Sequence, residues 1–161
     1  LIQSDDDRLS PCETDSPDQD GNVYWQPVTI EDELSFENIE QALSVELHAD
    51  FKTYFAQFYS ESLPATSTEG HLSLLFAWNK DDFERLQQNI IGHILMKQKL
   101  KQPLTLFFAV TDEEDFILTL DNQTGAIWVE QVGCLPNKKL ADSMAEFISQ
   151  LTPFVDEPII A

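Results

Sequence analysis

Residues 79–103 carry the strongest helical period in the chain, and no other segment restricts its folding as much. Apolar side chains recur at Phe83, Leu86, Ile90 and Ile94, widened by Ile91 and Leu95. That spacing gives a helix with one buried stripe. Asn79 serves as its N-cap, and Asp81 and Asp82 put negative charge in the first turn, where the helix dipole favours it. Pro103 stops the helix. Gly92 in mid-helix costs about 1 kcal/mol relative to alanine, and a close helix–sheet approach would be a reason to tolerate it. Lys97, Lys99 and Lys101 cluster at the far end, three of only nine basic residues against 29 acidic ones. They could bind something, cap the negative end of the helix or repel a positive partner. Capping is the plainer use, and contact with anionic lipid headgroups is the sharper one.

Strand patterns flank this helix. "LTLFFAVT" and "FILTLD" surround the acidic turn "DEED", Asp112 to Asp115, and "NQTG" leads into "AIWVEQV". Upstream, "SLPATSTEGHLSLLFAW" reads as a hairpin turning at Thr68, Glu69 and Gly70. "VYWQPV" suits an edge strand because Pro27 cannot donate to a ladder. Phe36, Ile39, Leu43, Leu47, Phe51, Tyr54, Phe55 and Phe58 predict one broken helix or two, with Ser35 as the first cap. Leu140, Met144, Phe147, Ile148 and Leu151 predict a last helix over 138–151. Trp25 and Trp128 lie in β-prone runs and are expected to pack. The fold class is α+β, a single domain with a mostly antiparallel sheet of five or six strands and helices packed against it. Residues 1–22 read as an acidic loop or extended segment, 23–153 as the domain and 154–161 as a tail.

Charge decides which partners are excluded. The formal net charge is −20, and 14 of the 29 acids fall in the first 50 residues beside one base, Arg8. Such a surface repels nucleic acid and anionic lipid and attracts basic surfaces. With 42% hydrophobic residues the chain is too apolar for disorder. No window reaches the ~20 apolar residues of a membrane span, and the acidic opening "LIQSDDDRL" does not read as a signal peptide. A cytoplasmic protein is expected. Cys12 and Cys134 could form a disulfide, but two unpaired thiols are expected.

Motifs for chemistry are missing. His48, His71 and His93 are scattered and no cysteine pair has metal-ligand spacing, so no metal or cofactor is expected. His93 reads as a partly buried imidazole bonded to backbone or a carboxylate. No phosphate loop or nucleophile elbow is present, and no carboxylate pair is singled out for acid–base work, so no enzyme is expected. Glu37, Glu40 and Glu46 read as solvated. The acids at element ends are more suggestive: Asp81, Asp82, Glu113, Glu114, Asp115 and Glu130. Should those ends meet on one sheet face, they form a negative concavity that contacts a partner.

Five separated motifs occur together: "VYWQP" at 23–27, "DDFERLQQNIIGH" at 81–93, "QPLTLF" at 102–107, "TGAIWVEQVG" at 124–133 and "LADSMAEFISQLTP" at 140–153. With "SPC" at 10–12, this sequence resembles the Syd family over 10–153. The resemblance implies a bacterial protein peripheral to the cytoplasmic side of the inner membrane. It would dock through an acidic concave surface on basic cytoplasmic loops of SecY, the translocase channel, and help check or regulate it. It also implies the α+β superfamily shared with Knr4-like and toxin-immunity proteins. Members generally carry a further helical segment ahead of the position of Leu1. The competing reading is an immunity-type inhibitor that covers the basic cleft of a nuclease toxin.

Overall fold

The structure is a computed structural model that describes residues 2–3, 9–14 and 19–154. These fall into two compact units. One holds the described residues up to Glu61 together with Phe76–Gly92; the other holds Ser62–Leu75 and the described residues from His93 onward.

The first unit is mainly helical. Strand β1 (Ile2–Gln3) pairs with β2 (Asn22–Val23), and β3 (Val28–Thr29) pairs with β4 (Phe58–Tyr59), both antiparallel. Helices α1 (Glu37–Leu43) and α2 (Ala49–Gln57) lie between β3 and β4 in the chain. The predicted apolar period is therefore two helices. Ser44, in the left-handed region at φ 53°, ends the first. Glu40 joins them: its Oε2 accepts from the Leu47 amide at 3.0 Å and from Lys52 at 3.3 Å. It is a structural link, not the merely solvated acid the sequence suggested. The α1 cap is also corrected, because Phe36 holds the N-cap position without a side-chain bond. Its ring is buried against Phe51 and Phe83, at centroid distances of 5.6 and 5.1 Å. That burial fixes the helix start, whereas a serine cap would contribute only about 1 kcal/mol.

Helix α3 (Lys80–Lys99) is capped as expected: the Asp82 amide donates to Asn79 Oδ1 at 2.8 Å. Its buried positions are Phe83, Ile90, His93, Ile94 and Lys97. Leu95 is 47% exposed and does not belong to the stripe.

The second unit is built on a seven-stranded antiparallel sheet, more strands than the five or six expected. It comprises β5 (Leu63–Ser67), β6 (Gly70–Leu74), β7 (Thr105–Thr111), β8 (Phe116–Asp121), β9 (Ile127–Gln131), β10 (Pro136–Ala141) and β11 (Thr152–Pro153). Their order is β10-β9-β8-β7-β6-β5-β11. All three predicted turns connect hairpins. The predicted last helix is shorter. Residues 136–141 form β10, held by pairing with β9 through Lys138↔Val129 and Lys139↔Trp128, and only α4 (Met144–Ser149) is helical. Ser143 caps α4 by accepting from the Glu146 amide, and Phe147 packs edge-on against Phe108 at 5.8 Å.

Gly92 is helical and exposed, and a Cβ built on it meets nothing within 4 Å. The space around it is open, so no contact requires a glycine here. Gly92→Ala should therefore stabilise the protein by about 0.4–1 kcal/mol, since alanine lowers the entropy of the unfolded chain without a clash. Urea denaturation checks this, and an unchanged or lower midpoint would show that the glycine has a conformational role.

Candidate functional site

The lysines at the end of α3 do not act alike. Lys99 and Lys101 are exposed, but Lys97 is fully buried. Its ammonium has three donors and no acceptor, and each donor is matched. Nζ donates to Glu130 on β9, to Gln102 Oε1 at 3.0 Å and to the Cys134 carbonyl at 3.0 Å. Glu130 is equally buried, and its other oxygen accepts from Thr105 on β7. Thr105 Oγ1 also lies 3.3 Å from His93 Nε2. Because the threonine proton goes to Glu130, its lone pair accepts from the imidazole, which fixes the Nε2–H tautomer of neutral His93.

Glu130 as a surface contact is thereby corrected. Its carboxylate is enclosed and held by Lys97 and Thr105. Lys97 neither caps the helix in water nor faces lipid. A signal for this pair stood in the sequence. Lys97 continues the Ile90–Ile94 stripe by one more step, and Glu130 is a lone acid inside an apolar strand.

The acidic turn between β7 and β8 lies where a partner can reach it. Asp112, Glu113, Glu114 and Asp115 are all exposed. Thr111 shapes the turn: its Oγ1 accepts from the Glu113 amide at 3.2 Å and donates to the Phe116 carbonyl at 3.0 Å. Asp112 and Glu113 line a cleft of about 330 Å³. Its apolar walls include Leu72, Phe116, Leu118, Val129 and Leu140, contributed by strands β6, β8, β9 and β10. Glu69, from the β5–β6 turn, adds a third carboxylate, and Lys138 on β10 is the only lysine or arginine among the lining residues. The cleft thus offers an apolar floor and a predominantly negative rim, which suits a ligand with alternating cationic and apolar groups.

The other predicted acids belong to the first unit. Asp82 is occupied locally, its Oδ2 accepting from the Trp78 amide at 2.8 Å and its Oδ1 lying 3.5 Å from Arg85. Asp81 is exposed and lines a groove with Asp32, Tyr59, Asn79 and Pro11. There Tyr59 donates to Asp32 at 2.7 Å, and burial, reinforced by that carboxylate, holds the phenol protonated. Sequence reasoning missed Glu69 and Asp32, because their value comes from neighbours remote in the chain.

The cysteines are both free, Cys12 buried and Cys134 exposed. Burial raises the Cys12 thiol above its ordinary value, which keeps it an unreactive packing group. His48 caps α2, its Nδ1 accepting from the Asp50 amide at 3.1 Å, and the His71 ring packs at a tilt of 55° against Phe154 with centroids 4.6 Å apart. No group of three metal-ligating side chains occurs among the described residues. Among them, too, no helix is long and apolar enough to cross a membrane.

Comparison with known proteins places this architecture. A family model described as Syd protein (SUKH-2) matches residues 1–153. The chain belongs to the Syd family. A relative named Protein Syd from Colwellia psychrerythraea is 59% identical over 160 residues, covering 94% of this chain and 80% of that protein. Relatives of the same name from Alteromonas mediterranea and Pseudoalteromonas atlantica are 51% and 44% identical over 152 and 154 residues. They cover 94% of this chain in both cases and 84% and 83% of their own lengths.

Two predictions follow for this Syd-family chain from the buried network. Lys97→Met takes from buried Glu130 its cationic partner and leaves it only the Thr105 bond, so it should cost about 3–5 kcal/mol by urea denaturation. Adding Glu130→Leu should restore much of that loss, because an apolar pair removes the uncompensated charge; additive losses would show that the two side chains are not coupled.

The second concerns pH. Burial lowers His93 below 6.5, the nearby Lys97 charge pushes the same way, and Glu130 opposes both. The folded state therefore binds fewer protons than the unfolded chain in mild acid. This contribution is fully present above pH 6.5 and is lost as pH falls from there toward the folded value. The stability of wild type relative to His93→Gln should accordingly drop between pH 7.5 and about 5; a constant difference would show that His93 does not titrate differently in the fold.

Proposed function

We propose that this chain is a non-enzymatic docking protein that holds Lys- and Arg-rich cytoplasmic loops of SecY. On this reading it works at the cytoplasmic side of the bacterial inner membrane and helps check or regulate the translocase. The observation that carries the proposal is the cleft of the second unit. There Glu69, Asp112 and Glu113 rim an apolar floor on a chain of net charge −20 that belongs to the Syd family. Cytoplasmic loops of membrane proteins carry excess lysine and arginine, so their charge is complementary to this rim. Glu113, Glu114 and Asp115 are the proposed primary contacts; Asp81, on the first unit, is proposed separately as an exposed acid. Asp82 contributes mainly through its helix-start bonds.

Electrostatics also shapes the approach. An anionic bilayer repels a chain of this charge. Attachment therefore rests on loops that project from the membrane and not on lipid. Long-range attraction steers association, and salt screens it beyond about 8 Å at physiological ionic strength.

The test is binding to SecY reconstituted in nanodiscs, with a basic-cleft nuclease as the competing partner in a parallel pull-down. Affinity for SecY should fall steeply as salt rises. The double variant Glu113→Gln/Glu114→Gln should associate more slowly and bind several-fold more weakly. Its stability should stay within about 0.5 kcal/mol of wild type. Salt-independent binding, or retention of the nuclease in place of SecY, would overturn the reading.

A further inference from the structure

Lys138 sits in the acidic cleft and is already paired there. Its Nζ donates to Glu69 Oε1 at 2.5 Å, and both residues line the cleft. The pairing joins distant parts of the sheet. Lys138 lies on β10, an edge strand, while Glu69 lies on the turn that begins β6, four strands away in the order β10-β9-β8-β7-β6. In a flat sheet four spacings amount to about 19 Å. A lysine and a glutamate side chain cannot bridge that distance, so the sheet curls and the pair closes over its concave side. Beneath it lie Leu118 and Val129.

We infer that Lys138 is a strap across the cleft, a resident cation that occupies Glu69 until a basic ligand displaces it. This rests on the reading of the cleft as a site for basic segments. Three features of the pair support it. First, Lys138 presents to Glu69 the chemical group that a ligand lysine would present. Second, both side chains are half exposed, 56% for Lys138 and 41% for Glu69, so the bond opens without breaking the core. An exposed pair contributes about 0–1 kcal/mol, weak enough to be exchanged. Third, neighbouring Lys139 behaves differently. It pairs with Asp142, three residues on, and does not line the cleft. Two adjacent lysines with equal charge are thus separated by role: one latches the site and the other braces a local turn.

The strap has a functional consequence. A ligand with a single cation exchanges one lysine for another at Glu69 and gains little there. A ligand with several cations also engages Asp112 and Glu113 while Lys138 swings out. The pair therefore selects for multiply charged segments over isolated lysines, a form of specificity by exclusion.

The experiment uses the full chain and a short fluorescent peptide that alternates lysine and leucine, titrated at low salt. Lys138→Met should bind it about two- to fivefold more tightly than wild type, the range an exposed ion pair spans. Lys139→Met makes the same change in net charge outside the cleft and should give a smaller gain. In a Glu69→Gln background the advantage of Lys138→Met over Lys139→Met should vanish. Equal gains from the two lysine variants, or a Lys138→Met advantage that survives in Glu69→Gln, would overturn the strap and leave the docking reading intact. Absence of binding by wild type and all variants would overturn both.

Discussion

The second unit depends on a buried ion pair. Removing two charges from water is expensive, and mutual attraction offsets that only when every remaining donor and acceptor is matched. Lys97 and Glu130 meet the condition through Gln102, Thr105 and the Cys134 carbonyl. The bonds tie the end of α3 to the loop that follows β9 and to the start of β7. An apolar contact in the same place would be content with several alignments. A lysine whose three donors each need an acceptor is content with one, so the network fixes the register of helix against sheet.

That fixed register bears on the cleft. The cleft walls come from side chains on β6, β8, β9 and β10, and its rim comes from two hairpin turns. None of these elements forms a concavity alone. The sheet must curl, and the sequence contains devices that permit it: a register shift between Phe107 and Ala109 on β7, and two more on β10. Bulges of this kind increase local twist and bend the strand. Acids placed on turns then converge, because the turns of a curled sheet point toward a common mouth. Their mutual repulsion is eased by Lys138, which pairs with Glu69 there.

Much of this was legible in the residues. The long helix, its Asn79 cap, the three hairpin turns and the α+β class follow from period and turn chemistry, which are local properties. The exposure of Glu113 and Glu114 also followed, since a tight turn carries its side chains into water. Family membership was legible as well, from five ordered motifs. Other elements failed for identifiable reasons. Strand β10, with its sequence "PNKKLA", has no β pattern of its own and is a strand because β9 supplies a ladder. Leu95 fitted the helical stripe, yet the helix buries His93 and Lys97 instead.

The sequence by itself determined the net charge, the long helix and the hairpin turns, because those depend on residues near in the chain or on simple addition. The tertiary structure alone decided what each charge does. Three lysines within five residues became one buried network centre and two exposed cations. Six candidate acids became a solvent-facing turn, one acid bonded at a helix start, one exposed acid in a groove and one enclosed carboxylate. The reason is physical: whether a charge is solvated, paired or presented depends on the dielectric and the neighbours around it, and those neighbours arrive from positions tens of residues away.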